Sequence, residues 1–406
     1  MKTNYIRIKF GQLGILSRGV TYSPPEDLRR ESDSTSIWLL RSTNLQGGEI
    51  NLDDVTIVAA HCAKPSQRLV NGDLAICTAN GSKALVGKAS LVCLPNPSHY
   101  VVGAFCARMR PNDGESPEFL AALFESGFYK SWIGRLLAGT NINNLKPSDI
   151  ASCSIRMPSS LSQRNRLGEI FSLSRFQIKT LNRLIAAKRE QKRGLMQQLL
   201  TGKLRFPGFT EPWKTVRLGD VLKESRLLGT TGFTAKKITV KLYGRGVYAK
   251  QEKRTGSVNT RYFKRLSGQL IYSKLDFLNG AFGIVPDELD GFESTLDMPT
   301  FDIVSSANPH WLLALVGRRD FYQRFNDGAE GGRKAKRVDP SRFFDEVIQL
   351  PCRAEQDRIA RLIIILGKEI ELLEQQRAAF AAQRRGLMEK LLSGEIDIQN
   401  PKETAA

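Results

Sequence analysis

Apolar residues recur at helical spacing from Gln163 to Leu200. Leu167, Leu181 and Leu195 lie on one seven-residue register, and Phe171, Ile178, Ile185 and Leu199 on a second one four residues further on. From Glu355 to Leu392 the heptad is cleaner still, with Ile359, Leu366, Leu373, Phe380 and Leu387 in one register. The pattern predicts two helices of about 40 residues, each roughly 60 Å long. Neither buries its seam alone, so a two-helix coiled coil is expected. The first carries nine basic residues, from Arg164 to Arg193, and the second has Glu369, Glu371 and Glu374 in its middle. Gly202 is the expected cap of the first helix.

Outside the two helices the period is short. Trp38–Leu40 reads as a strand entering the polar loop Arg41–Asn44, and Gly47-Gly48 as a turn. Leu69-Val70, Leu74–Ile76 and Ala89–Val92 read as further strands. Ser116-Pro117 starts a helix expected to reach about Leu137, Ser as N-cap and Pro as first residue. A Gly/Asn loop, Gly139–Asn144, follows, and Ile155–Pro158 closes the half. The same order then returns: Leu218-Gly219 after Leu13-Gly14, Gly268–Tyr272 after Gly72–Ile76, Asn308-Pro309 after Ser116-Pro117, Ile348–Pro351 after Ile155–Pro158. The strongest echo is Lys192–Lys203 against Arg384–Glu395, gapless and about 192 residues apart. The expected class is α+β: two similar α/β domains separated by two long helices, with an internal repeat.

Composition changes the picture through charge. The chain of 406 residues has a formal net charge of +19 and a sequence pI near 9.8, which favours a polyanionic partner, nucleic acid above all. Six cysteines lie scattered without a C-x-x-C pair, as free thiols of a reducing cytosol do. His61-Cys62 has no second ligand pair nearby in sequence, so no metal is expected. Neither a signal core nor an apolar run of membrane-spanning length is present, and a cytoplasmic location is expected.

Catalytic motifs are missing where they would be looked for. No G-x-x-x-x-G-K-[ST] occurs, and no glycine-rich strand-to-helix turn suggests a nucleotide or S-adenosylmethionine pocket. Asn308-Pro309-His310-Trp311 looks like a methyltransferase loop but lacks its second proline and reads as a helix cap. Asn96-Pro97 reads as a turn. The residues point to binding. Lys and Arg near phosphates give affinity; Asn, Gln, Arg and Lys at base edges give sequence choice. In the first half the loop candidates are Arg41, Ser42, Asn44, Asn80, Lys83, Lys88, Asn141, Asn143 and Asn144. In the second they are Lys250, Lys253, Arg254, Arg261, Lys274, Asn279, Arg333, Lys334, Lys336 and Arg337.

Gly194-Leu-Met-Gln-Gln-Leu-Leu-Thr-Gly-Lys203, followed by Phe206-Pro-Gly-Phe209, resembles the central conserved region of the specificity (S) subunits of type I restriction-modification systems. Gly386–Gly394 resembles their distal one. The resemblance covers nearly the whole chain. It implies an N-terminal target recognition domain (1–160), a central conserved helix (161–203), a C-terminal target recognition domain (204–352), a distal conserved helix (353–395) and a tail (396–406). The helices would be antiparallel and the domains would each read half of a split site in double-stranded DNA. The chain itself would be non-catalytic, without cofactor. Two methyltransferase subunits and motor-nuclease subunits would join it, bringing S-adenosylmethionine, ATP and Mg to the complex. Two near-identical segments suit two equal partners about a pseudo-two-fold axis. With Leu195, Leu199, Leu387 and Leu391 on the seam, Met196, Leu200, Met388 and Leu392 are expected to face outward as partner contacts. The alternatives are a self-sufficient DNA methyltransferase or nuclease, and a stand-alone DNA-binding regulator.

Overall fold

The computed structural model describes residues 4–138, 144–251, 256–326 and 337–396. The chain mixes helix and sheet and divides into two compact units. One is Met1–Arg183 with Gln375–Ala406; the other is Leu184–Glu374. Two long helices contribute to both.

In the first unit, Tyr5–Lys9 pairs antiparallel with Ser154–Pro158. A four-stranded antiparallel sheet runs in the order Gly14–Arg18, Cys106–Pro111, Leu74–Cys77, Ala89–Leu91. Alternation along its third strand explains its burial on both faces. Leu74 and Ile76 pack towards the helix α1 (Pro117–Glu125), while Ala75 and Cys77 face Leu40, Tyr100 and Val102. Those last residues belong to a second sheet, in which Ser36–Leu40 lies between Thr56–Ala59 and the parallel strand Tyr100–Val102.

The expected single helix from Ser116 to Leu137 is two, α1 and α2 (Gly127–Ala138). Ser126 divides them. Its hydroxyl donates to the Leu123 carbonyl (2.7 Å) and accepts from the Tyr129 N–H (3.2 Å), serving the end of one helix and the start of the next. Leu69-Val70 is loop, tied down by Leu69 N–H to the Tyr100 carbonyl and Val70 N–H to the Asp73 carboxylate. The short α3 (Pro147–Ser152) precedes the closing strand, and the long α4 (Leu161–Leu199) follows it.

The second unit repeats the plan. Lys214–Arg217 pairs with Val347–Leu350, and the sheet order is Leu222–Ser225, Thr300–Ile303, Leu270–Tyr272, Phe282–Ile284. Around it lie α5 (Leu218–Val221), α6 (Pro309–Val316), α7 (Arg319–Tyr322) and α8 (Pro340–Asp345). Tyr272, Phe277, Phe282, Phe301 and Phe343 form an aromatic core, the first two rings 5.0 Å apart and edge-on. The long α9 (Arg353–Ser393) closes the chain. Gly202 and Gly394 follow the ends of α4 and α9 with φ of 71° and 78°, the left-handed stop that glycine adopts without a Cβ penalty.

The long helices pair antiparallel in each unit. In the first, Leu167 and Phe171 pack with Met388 and Leu391, and Arg384 donates to Ser174 (3.2 Å). In the second, Lys188 meets Glu369 (2.6 Å), and Leu199 packs with Ile359 and Ala360. The outward role expected for Leu200, Met388 and Leu392 is corrected, whereas Met196 keeps part of its surface open. Leu200, Met388 and Leu392 are 3%, 1% and 8% exposed and belong to the cores, and Met196 is half-buried against one. At its C-terminal end each long helix is packed against its unit's core as well as its seam, so its buried arc is wider than a heptad grid implies.

Candidate nucleic-acid interface

One end of the first sheet gathers several of the expected residues. Cys77 stands opposite Cys106 there, and Arg18 opposite Ala107. The turn into Cys106 presents Phe105, 68% exposed, whose carbonyl accepts from Thr78 N–H (2.9 Å) and Ala79 N–H (3.1 Å). Ala79 bridges to Asn144. The Asn80 amide donates to the Ser42 hydroxyl (3.3 Å) and accepts from Ser82 N–H (3.0 Å). So Ser42, Asn80 and Asn144 converge beside an exposed aromatic ring. Lys83 is exposed, its ammonium 3.4 Å from the Leu137 carbonyl, and the half-buried Lys88 follows at the same sheet end.

One first-half candidate is structural, and a second is engaged in an exposed ion pair. Asn44 is 3% exposed, accepts from Arg41 N–H (2.8 Å), and donates to the Asn51 (2.9 Å) and Asp54 (3.0 Å) carbonyls. Its amide is spent inside the loop, which corrects its assignment as a base reader. Arg41 is held by Asp54 at 2.6 Å.

The matching end of the second sheet holds Lys274 and Arg337. Lys274 pairs with Asp339 (2.6 Å) and its carbonyl accepts from Val338 N–H; Arg337 lies 3.6 Å from Asp297. Asn279 is exposed, and its carbonyl accepts from Tyr243 N–H (2.9 Å). Tyr243 is 67% exposed with φ of 60°, a left-handed conformation that costs a side-chain-bearing residue about 1 kcal/mol. Lys250 follows the Val247–Ala249 strand, and Arg261 begins a strand of a separate three-stranded sheet. Asn141, Asn143, Lys253, Arg254, Arg333, Lys334 and Lys336 lie outside the described residues.

Sequence reasoning missed Arg18, Phe105 and Tyr243. For Tyr243 a signal existed, since Gly244 and Gly246 mark a turn. For Phe105 none did, because an aromatic between two strands normally points inward.

The arrangement supplies amides, hydroxyls, cations and exposed rings. These groups suit base edges, phosphates and base stacks. It supplies no thiolate: burial pushes the Cys77 thiol up and the Cys106 thiol to about 12. Among the described residues the fold does bring one set of metal-ligand types together, Asp27, His61 and Cys62, with ligand atoms within 4.8 Å of one another. Asp27 is the partner that sequence spacing could not place. The Cys62 thiol is pushed up, first by burial and then by the Asp27 carboxylate, so it is a thiol rather than a ready thiolate ligand. Among the described residues no helix is long and apolar enough to cross a membrane.

Each unit combines an α+β domain that has a loop-rich sheet end with an antiparallel pair of segments from the two long helices. No protein-family model matches the sequence. The chain is similar to two curated proteins over 149 residues: 36% identical to the type I restriction enzyme StySPI specificity subunit of Salmonella potsdam, and 34% to the EcoKI specificity subunit of Escherichia coli. The match spans 37% of this chain and 32% of each relative. The type I restriction-modification S subunit from M. genitalium shares the fold at a TM-score of 0.59 and 12% identity, covering 98% of this chain and 97% of that one. A chain solved in work on complex assembly and conformational transition of the type I R-M system matches at 0.53 and 18%, covering 97% and 98%. The curated homologues are thus type I restriction enzyme specificity subunits, and the structural neighbours come from the same systems.

Proposed function

We propose that the chain is the DNA specificity subunit of a type I restriction-modification complex. Its kinship to two named specificity subunits carries the reading. Each unit carries a target recognition domain, 1–160 in one and 204–352 in the other, using the sheet end with Phe105, Asn80 and Ser42 in the first case and Lys274, Asn279 and Tyr243 in the second. Together they read the two halves of a split site. The chain positions methyltransferase subunits in the cytoplasm and does no chemistry itself; S-adenosylmethionine, ATP and Mg act on its partners. Motor-nuclease subunits join the same assembly. Single-molecule methylation sequencing of the host genome tests this. A split motif with methyladenine in both halves, lost when the gene is deleted, is the expected result. Methyl transfer or DNA cleavage by the purified chain alone would overturn the non-catalytic assignment.

A further inference from the structure

In the first unit Glu125, the last residue of α1, sits between two guanidinium groups. Arg175 of α4 donates to one carboxylate oxygen at 2.8 Å, and Arg384 of α9 to the other at 2.5 Å. All three side chains are largely buried, 23%, 18% and 12% exposed. The shift that carries Gly194 onto Gly386, and the N-cap Ser116 onto the N-cap Asn308, carries Glu125 onto Gly317. It also carries Arg175 onto Gly367 and Arg384 onto Lys192. The backbone follows the same shift: Ser126 N–H donates to the Leu123 carbonyl (3.1 Å), and Arg318 N–H to the Leu315 carbonyl (3.3 Å).

The second unit therefore lacks the carboxylate and one guanidinium, but has a cation at the third position. What remains is an open cleft of about 820 Å³, within the range of ligand-binding pockets. Met196 and Ile370 give it apolar walls. Lys192 is half-buried there, and its side chain makes no hydrogen bond or ion pair among the described residues. A Cβ on Gly367 would lie 3.1 Å from its ammonium nitrogen, so the missing side chain leaves the room the ammonium uses. Burial alone pushes its pKa down, as expected for a cation with nothing to answer it. The neighbouring cations are answered: Arg189 by Glu374, Arg193 by Glu190, Arg318 by Asp320.

We propose that this cleft is a socket for an acidic peptide segment of a partner protein. A glutamate side chain enters over Gly317 and pairs with Lys192, while an apolar neighbour rests on Met196 and Ile370. The repeat supplies the template, since a carboxylate already fills the corresponding place in the first unit. Nucleic acid fits less well. Lys192 and the exposed Arg319 are the cations left over, too few for a phosphate backbone, and the walls are apolar. The socket does not depend on the DNA-reading proposal.

The test is calorimetric titration of the full chain with acetyl-Leu-Glu-Glu-Leu-amide, with the Gln-Gln analogue as control. One peptide per chain is expected, with the analogue weaker by about tenfold or more. Lys192→Met should abolish the difference between the peptides. Gly317→Glu should block binding by supplying the carboxylate in cis; position 317 has φ of −75°, and the added Cβ, 2.9 Å from the Leu313 carbonyl oxygen, brings a strain that Gly317→Gln shares, so the two variants are compared with each other. Gly317→Glu should also raise the thermal midpoint above that of Gly317→Gln, and lose that gain when Lys192 is Met. Equal binding of both peptides, no binding, or binding unmoved by either substitution would overturn the socket. So would no thermal gain of Glu over Gln. If the substitutions change affinity for a DNA duplex but not for the peptide, the cleft belongs to nucleic acid.

Discussion

Gly168, on the first turns of α4, lies against the cap of α1. An added Cβ would fall 2.1 Å from the Ser116 hydroxyl and 3.1 Å from the Phe119 nitrogen. Helix propensity favours alanine over glycine by about 1 kcal/mol. Displacing Ser116 forfeits its bond to Phe119 N–H, about 1 kcal/mol, and overpacking adds about 1–3 kcal/mol. Gly168→Ala should therefore destabilise by about 2 kcal/mol in urea unfolding, opposite in sign to propensity. The equivalent cap in the other unit is tied differently: Asn308 donates to Asp357 (2.6 Å), which Arg353 also holds (2.8 Å). Those contacts, Arg353 first and Asn308 second, keep the Asp357 carboxyl below its usual range. A depressed carboxylate contributes stability that is fully present above its unfolded pKa, about 3.9, and is lost as pH falls through the lower folded value. The stability difference between the wild type and Asp357→Asn should hold at neutral pH and close below about pH 4. Both caps were legible in sequence, because Ser-Pro and Asn-Pro before an apolar run carry a local mechanism. Asn44 was not. Its backbone partners, Asn51 and Asp54, are gathered by a loop whose path no local pattern encodes.

At the scale of elements, the two sheets solve one problem in two ways. At the turn into the third strand of each, a side-chain oxygen accepts a backbone N–H three residues back: Asp73 from Val70, Gln269 from Leu266, both at 2.9 Å. Across the ladder, Asp73 takes two bonds from Arg110 (2.8 and 2.7 Å), whereas Gln269 donates to Asp302 (2.7 Å). Asp73 is wholly buried and Arg110 a third exposed. Asp73→Gln alone leaves a guanidinium without its carboxylate and should cost about 2–3 kcal/mol, discounted for Arg110's exposure. Asp73→Gln with Arg110→Asp installs the other unit's pair and should recover most of that loss. A double-mutant cycle in urea measures it, and strict additivity would show the pairs are not interchangeable. The long helices were legible because heptads are periodic over many turns. Their outward face was not, since Leu200, Met388 and Leu392 sit where a core wraps the helix end beyond its seam. The break at Ser126 was missed because a serine that ends one helix and starts the next looks, in sequence, like any polar helix residue.

For the whole molecule, the proposed function makes the halves separable readers. Replacing residues 1–160 by the matching segment of another specificity subunit should change one half of the methylated motif and leave the other intact. Phe105→Ala should alter preference in that same half alone, since the ring stands on the first sheet's end. The cations there make a quantitative case. Each cation–phosphate pairing removed should lower the slope of log affinity against log salt by about 0.9. Changing Arg18, Lys83 and Lys88 together to Gln should lower it by at most about 2.7, the full value requiring that all three touch phosphate. The readout is filter binding of a duplex carrying the motif, across a salt series. The half-site sequences should not move, because bonds to phosphate carry no base information. An unchanged slope would remove these cations from the interface. A changed motif would make at least one of them a base reader. Swapped segments that altered both half-sites would show that the two units do not read independently, and the two-reader proposal would fail.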